Sequence, residues 1–162
     1  MSRRTEGFLS YYNKFKHKIF NYFLYRVNFD RKCAEDLTSE VFLKAFKVFD
    51  QFDKSRSFQS WIYTIARNHL INYYKVANRE ISLTGFENVF CQADAKIEDK
   101  LELERIFKLI DRLDPGDKDI LLLRYAQSLT NAEIAAILDK EEGAVRTQLS
   151  RSLVKLRLFL NQ

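Results

Sequence analysis

Apolar residues return every three or four positions along most of the chain, and the breaks in that rhythm divide it into helices. From Phe8 to about Phe29, the positions Phe8, Tyr12, Phe15, Ile19, Phe23 and Val27 keep helical spacing while Lys14, Lys16, Lys18 and Arg26 fill the remaining face, which predicts an amphipathic helix with an aromatic core stripe. Asp30 is the expected N-cap of a second helix, Lys32 to Asp50. Its apolar line is Leu37, Val41, Ala45 and Val48, widened by Phe42, Phe46 and Phe49. The stretch QFDKSRSFQ breaks the period and reads as a loop. Ser57 is then placed to cap a third helix, with Phe58, Trp61, Ile62, Ile65, Ala66, Leu70 and Val76 expected inside. The open side of that helix is expected to carry Tyr63, Arg67, Asn68, Asn72, Tyr73, Lys75 and Arg79.

The period fades after Arg79 and returns at Ile97, so residues 80–96 are expected to be a flexible linker between two small domains, 1–79 and 97–162. Leu101, Ile106, Phe107, Ile110 and Leu113 mark the next helix, with an acidic outer face at Glu98, Asp99, Glu102 and Glu104. Pro115 restarts the chain at a helix N-terminus. Thr130 and Glu133 have the spacing of a capping box opening a short helix with Ile134, Ile137 and Leu138 inward. Asp139 is a turn residue that tolerates a left-handed backbone. A last helix runs from about Glu142 with Val145, Leu149, Leu153, Leu156 and Leu160 on its buried side.

Composition agrees with this outline. Four Gly and one Pro in 162 residues leave few breakers for a many-turned β fold, so an all-α protein of two small helical domains is expected. The net charge of +5 suits a polyanionic partner, and its placement says more than its size. Residues 1–79 carry net +8, 80–114 net −4 and 115–162 net +1. Cys33 and Cys91 form no CxxC pair, which argues against a disulfide framework or zinc knuckle. His17 and His69 have no Cys or carboxylate at metal-ligand spacing, so no metal, cofactor or catalytic constellation is expected. No apolar run is long enough to insert in a bilayer, and the N-terminus lacks the apolar core of a signal peptide; a cytoplasmic protein is expected.

Two features point to nucleic acid. Ala135, Asp139 and Val145 have the spacing that two tightly crossed helices require, and Arg146, Thr147, Gln148, Ser150 and Arg151 then lie at the start of the second helix, where a helix-turn-helix reads the major groove. A plain helical hairpin with a solvated face is the alternative. In the first half, tyrosines interleaved with Arg, Lys and Asn along Tyr63 to Arg79 suit splayed bases, since rings stack while cations hold phosphates. Core packing competes for those rings. The strip with Asp36, Ser39 and Glu40 reads, on its own, as a solvated face.

Four segments in order, AEDLTSEVFLKAF, FQSWIYTIARNHLINYYK, LDPGDKDILLLRYAQSLTNAEIAAIL and GAVRTQLSRSLVKLR, resemble an extracytoplasmic-function sigma factor of the bacterial sigma superfamily. The resemblance covers nearly the whole chain. It implies a non-enzymatic subunit that binds core RNA polymerase and directs it to promoters, with an anti-sigma factor as a further partner. By that analogy Asp36, Leu37, Ser39, Glu40, Leu43 and Lys44 dock on the polymerase. Lys54, Arg56, Ser57, Phe58, Arg67, Asn68, Asn72, Tyr73, Lys75 and Arg79 would open and hold the minus-ten element, Ser57 and Phe58 lying in the loop that receives a flipped base. Arg146, Thr147, Gln148, Ser150 and Arg151 would read the minus-thirty-five element. Lys140, Glu141 and Gln148 depart from the usual residues of the family, so the promoter sequence does not transfer. A repressor or activator independent of polymerase, and a partner-sequestering helical module, are the competing readings.

Overall fold

The computed structural model describes residues 2–81 and 97–162, with side chains described for 2–77 and 101–162. Seven α-helices and no strand occur among the described residues. The chain divides into two compact units, residues 1–92 and 93–162. Most of the expected linker, 80–96, lies outside the described residues, as does the side chain of Arg79.

The first unit is built from α1 (Arg3–Leu24), α2 (Arg31–Lys47), a 3-10 turn (Phe49–Gln51) and α3 (Phe58–Ile81). Helix α1 starts five residues before its first core ring, because Ser2 Oγ accepts from the Thr5 backbone N–H at 3.3 Å and so satisfies a donor that the helix leaves orphaned. It ends at Leu24, and in the turn that follows Asn28 and Phe29 both take positive φ, 53° and 61°, a left-handed bend that leads into α2. Asp30 then caps α2 through Cys33 N–H at 3.0 Å. The core between the three helices is largely aromatic: Phe8 meets Phe42, Phe46 and Phe49 edge-on, and Tyr11 stacks on Phe58 at 4.0 Å. Such pairs add about 0.5–1.5 kcal/mol each beyond the area they bury.

Two expectations for α3 are corrected. Tyr63, expected on the open side, is 1% exposed, its ring edge-on to Tyr22 at 5.5 Å. The first half of α3 is packed by both α1 and α2, so its buried arc is wider than one stripe. Val76, expected inside, is exposed, because α3 is 24 residues long against 17 for α2 and its last turns outrun their cover.

The second unit contains α4 (Ile97–Ile110), α5 (Pro115–Leu121) continuing into a π-helical turn (Leu122–Ala126), α6 (Asn131–Leu138) and α7 (Glu142–Leu160). The capping box is complete: Glu133 N–H donates to Thr130 Oγ1 at 3.2 Å, and Thr130 N–H donates to Glu133 Oε2 at 2.8 Å. Losing such a cap costs about 1 kcal/mol. Asp139 sits at φ 53°, ψ 51° and turns the chain between α6 and α7. Ala135 and Val145 are both buried where those helices cross. Helix α7 differs from expectation along its length. Its buried line is Val145, Leu149 and Ser152, whereas Leu153 and Leu156 are half-buried and Leu160 is exposed. In α4 likewise, Leu101 and Ile106 face outward and the core takes Ile110 and, beyond its end, Leu113.

Candidate nucleic-acid interface

On α7, Arg146, Thr147, Ser150 and Arg151 are exposed and share one face, three and four residues apart, in the first half of the helix. Glu141 precedes the helix without a side-chain capping bond. Gln148 is set apart from the other four. It is half-buried, its Oε1 accepts from Lys140 Nζ at 2.7 Å, and its Nε2 donates to Asp117 Oδ1 at 3.4 Å. Both ends of its amide are engaged within the protein. Asp117 is the anchor beneath it, accepting also from Ser152 Oγ at 2.8 Å and Lys155 Nζ at 2.6 Å. Burial would raise the Asp117 carboxyl, but the hydrogen bonds from Lys155, Ser152 and Gln148 outweigh it and hold the group below the ordinary carboxylate range. The bonds to Asp117 and Asp114 in turn hold Lys155 above the usual lysine value. A shallow groove of about 500 Å³ follows this seam, bordered by Gly143, Thr147, Gln148 and Arg151. Sequence reading missed Asp117, which is one α-helix away from the residues it braces.

In the first unit, the turn before α3 is shaped by Asp53, which accepts from the Ser55 backbone N–H at 2.9 Å and Ser55 Oγ at 2.7 Å. Those bonds, the hydroxyl first, lower the Asp53 carboxyl. The turn leaves Lys54, Arg56 and Ser57 exposed, with Arg56 Nε 3.7 Å from Asp53 Oδ2. Ser57 caps α3 by accepting from Ser60 N–H at 3.3 Å. Phe58 does not face out of this turn. It is 5% exposed, sandwiched against Tyr11, Phe52 and Trp61. Asn68, Asn72 and Lys75 are exposed at four- and three-residue spacing, one stripe of α3, and Arg67 is half-buried beside it. Tyr73 lies on a different side: the Cys33 thiol of α2 donates to its hydroxyl at 3.3 Å. The contact with Cys33, and then burial, push the Tyr73 hydroxyl up, and burial pushes up the thiol.

On α2, Asp36, Ser39, Glu40, Leu43 and Lys44 are all exposed and recur at the three- and four-residue spacing of one helical face, with Leu43 63% exposed at its centre. Leu37 does not belong to it. At 3% exposure it is a core residue of the three-helix packing, one position round the helix from the open strip.

Residues 12–80 match the family described as sigma-70 region 2, and residues 103–156 match sigma-70, region 4. The chain is 30% identical over 172 residues to the ECF RNA polymerase sigma factor SigW of Bacillus subtilis, covering 94% of this chain and 88% of that one. The chain belongs to the extracytoplasmic-function sigma factors. It is also 30% identical over 162 residues to the sigma factor BldN of Streptomyces coelicolor, matching 96% of its own length but 61% of that relative. A solved structure of the sigma factor RpoE of Bartonella quintana, in complex with the anti-sigma factor NepR, has the same fold at a TM-score of 0.80 and 20% identity, covering 96% of this chain and 98% of that one. As a sigma factor the chain is a transcription initiation factor and not an enzyme. Among the described residues no helix is long and apolar enough to cross a membrane.

Proposed function

We propose that this chain docks on core RNA polymerase through the α2 strip Asp36, Ser39, Glu40, Leu43 and Lys44, and grips promoter DNA with both units. Arg146, Thr147, Ser150 and Arg151 read the minus-thirty-five element in the major groove, where each well-placed bidentate contact discriminates by about 1–3 kcal/mol. Gln148 serves chiefly to brace that face, since its amide is already occupied. In the first unit Lys54, Arg56, Ser57, Asn68, Asn72, Lys75 and Arg79 follow the melted minus-ten strand, with Arg67 and Tyr73 at its border and Phe58 supporting the turn from beneath. The single observation that carries this reading is that one chain of the sigma family exposes both an apolar-centred charged strip on α2 and an Arg-bearing face at the start of a helix-turn-helix.

Energetics assign the melting step to the assembled complex. Unstacking a base step costs a few kcal/mol. Stacking the freed base on a ring returns about 1–3 kcal/mol. With Phe58 and Tyr63 in the core, the rings left exposed on α3 are Tyr73 and Tyr74, so the chain alone does not gain enough to hold a bubble. The protein works in the cytoplasm, where the polymerase is, and an anti-sigma factor is its expected regulator. Mapping RNA 5′ ends from genomic DNA transcribed by core polymerase, with and without the chain, tests this. New starts downstream of a shared pair of sequence elements are expected; an unchanged set of starts would favour a repressor that never joins polymerase.

A further inference from the structure

The α2 strip has a partner on α3 that its own helix periodicity does not reveal. His69 lies between Glu40 and Lys44 of the strip, its side chain 11% exposed. Its Nε2 is 2.6 Å from Glu40 Oε2 and its Nδ1 is 2.8 Å from Lys44 Nζ. A lysine ammonium has no lone pair to offer, so it can only donate, and Nδ1 must be the bare, accepting nitrogen. The ionised Glu40 carboxylate can only accept, so Nε2 carries the proton. The contacts therefore define one tautomer of a neutral imidazole, donating to the acid and accepting from the base. Glu40 and Lys44 are four residues apart on an exposed helix face, where a direct pair of long side chains is loosely held and contributes little. The imidazole comes from a different helix, is itself packed, and fixes both side chains from one side while leaving their outer surfaces open.

We propose that His69 is a positioning residue for polymerase docking: it preorganises Glu40 and Lys44 beside the exposed Leu43, so that the docking strip on α2 is set by the same helix that carries the minus-ten residues. Binding then meets two charges already ordered, and avoids the rotamer entropy that each long side chain otherwise loses on association. The inference rests on the reading of the α2 strip as the polymerase contact.

The test is the affinity of the full chain for core polymerase, measured alongside thermal unfolding followed by Trp61 fluorescence, for His69→Ala, His69→Gln, Glu40→Gln, Glu40→Lys and the double variant His69→Ala with Glu40→Gln. His69→Ala is expected to weaken core binding roughly three- to tenfold, the entropy of one or two freed side chains. His69→Gln, whose amide offers one donor and one acceptor, should restore most of that loss. The double variant should lose less than the sum of the two single losses, because the histidine acts in part through the acid and in part through Lys44. Additive losses in the double variant, or equal losses in His69→Ala and His69→Gln, would reduce His69 to a packing residue and overturn the proposal. If Glu40→Lys binds core as tightly as the parent, the docking reading itself fails and this inference with it. If Glu40→Lys loses binding while His69→Ala does not, only the role of His69 is refuted.

Discussion

Lys155 Nζ donates to Asp117 Oδ2 at 2.6 Å and thereby ties α5 to the back of the helix that presents Arg146 and Arg151. Asp117 is buried while Lys155 is about half exposed, so the carboxylate depends on this contact and on Ser152 for the solvation it gave up. The orientation of the proposed reading face is consequently set by an acid that never reaches DNA.

Acid should therefore loosen the second unit in a defined window. The Asp117 carboxyl is held below its ordinary value, so its contribution is fully present above the unfolded value near pH 4, roughly 3.9 for a free aspartate, and is lost as pH falls through the lower folded value. Asp117→Asn should destabilise the second unit by about 1–3 kcal/mol at neutral pH. Hydrogen exchange of α5 and α7 amides in the full chain reads this. The protection gap between parent and variant should close as pH drops below about 4. A gap that stays constant to pH 2 would show that Asp117 is not the titrating anchor.

Phe58 should behave as a core ring. Phe58→Ala is expected to cost the first unit about 3–5 kcal/mol, with Phe58→Leu recovering most of it. Trp61, the single tryptophan, lies 5.3 Å from that ring and reports the change in fluorescence-detected unfolding. A Phe58→Ala variant that unfolds at the parental temperature would mean that the ring spends its time outside the core, available to a base.

These two side chains illustrate what periodicity conveys and what it does not. Caps were legible because they are local: Asp30, Ser57 and the Thr130–Glu133 box each satisfy backbone groups within three residues. Asp139 was legible for the same reason, as a turn-tolerant residue between two apolar stripes. Ser2 was missed because the first turn of α1 it caps contains no core residue to mark it. The rotational setting of one helix against another was legible only in part. Periodicity put Leu37 on the apolar line of α2, where it lies, and only the family analogy grouped it with its exposed neighbours; Tyr63 was placed outside although two helices enclose it. The pairs Glu40 with His69, Cys33 with Tyr73 and Gln148 with Asp117 span 29, 40 and 31 positions, so no local pattern could announce them.

The two units should fail separately when their surfaces are altered. Arg146→Ala or Arg151→Ala should lower promoter occupancy by the holoenzyme while leaving core affinity intact. A lost phosphate contact would flatten the salt dependence by about one ion, whereas a lost base contact would cost about 1–3 kcal/mol at one promoter position. Glu40→Lys should weaken core binding without changing which sequence the surviving complex selects. A single shared defect for both kinds of variant would contradict the assignment of docking to α2 and duplex reading to α7.

Promoter opening offers the most direct test of the whole account, with a fluorescent adenine analogue placed in the minus-ten element of a duplex promoter and its unstacking followed on addition of the chain, of core polymerase, or of both. The account predicts bright, unstacked signal only with both proteins present, reduced when Arg146 or Glu40 is changed. Equal brightness with the chain alone, or no brightening with both, would contradict it.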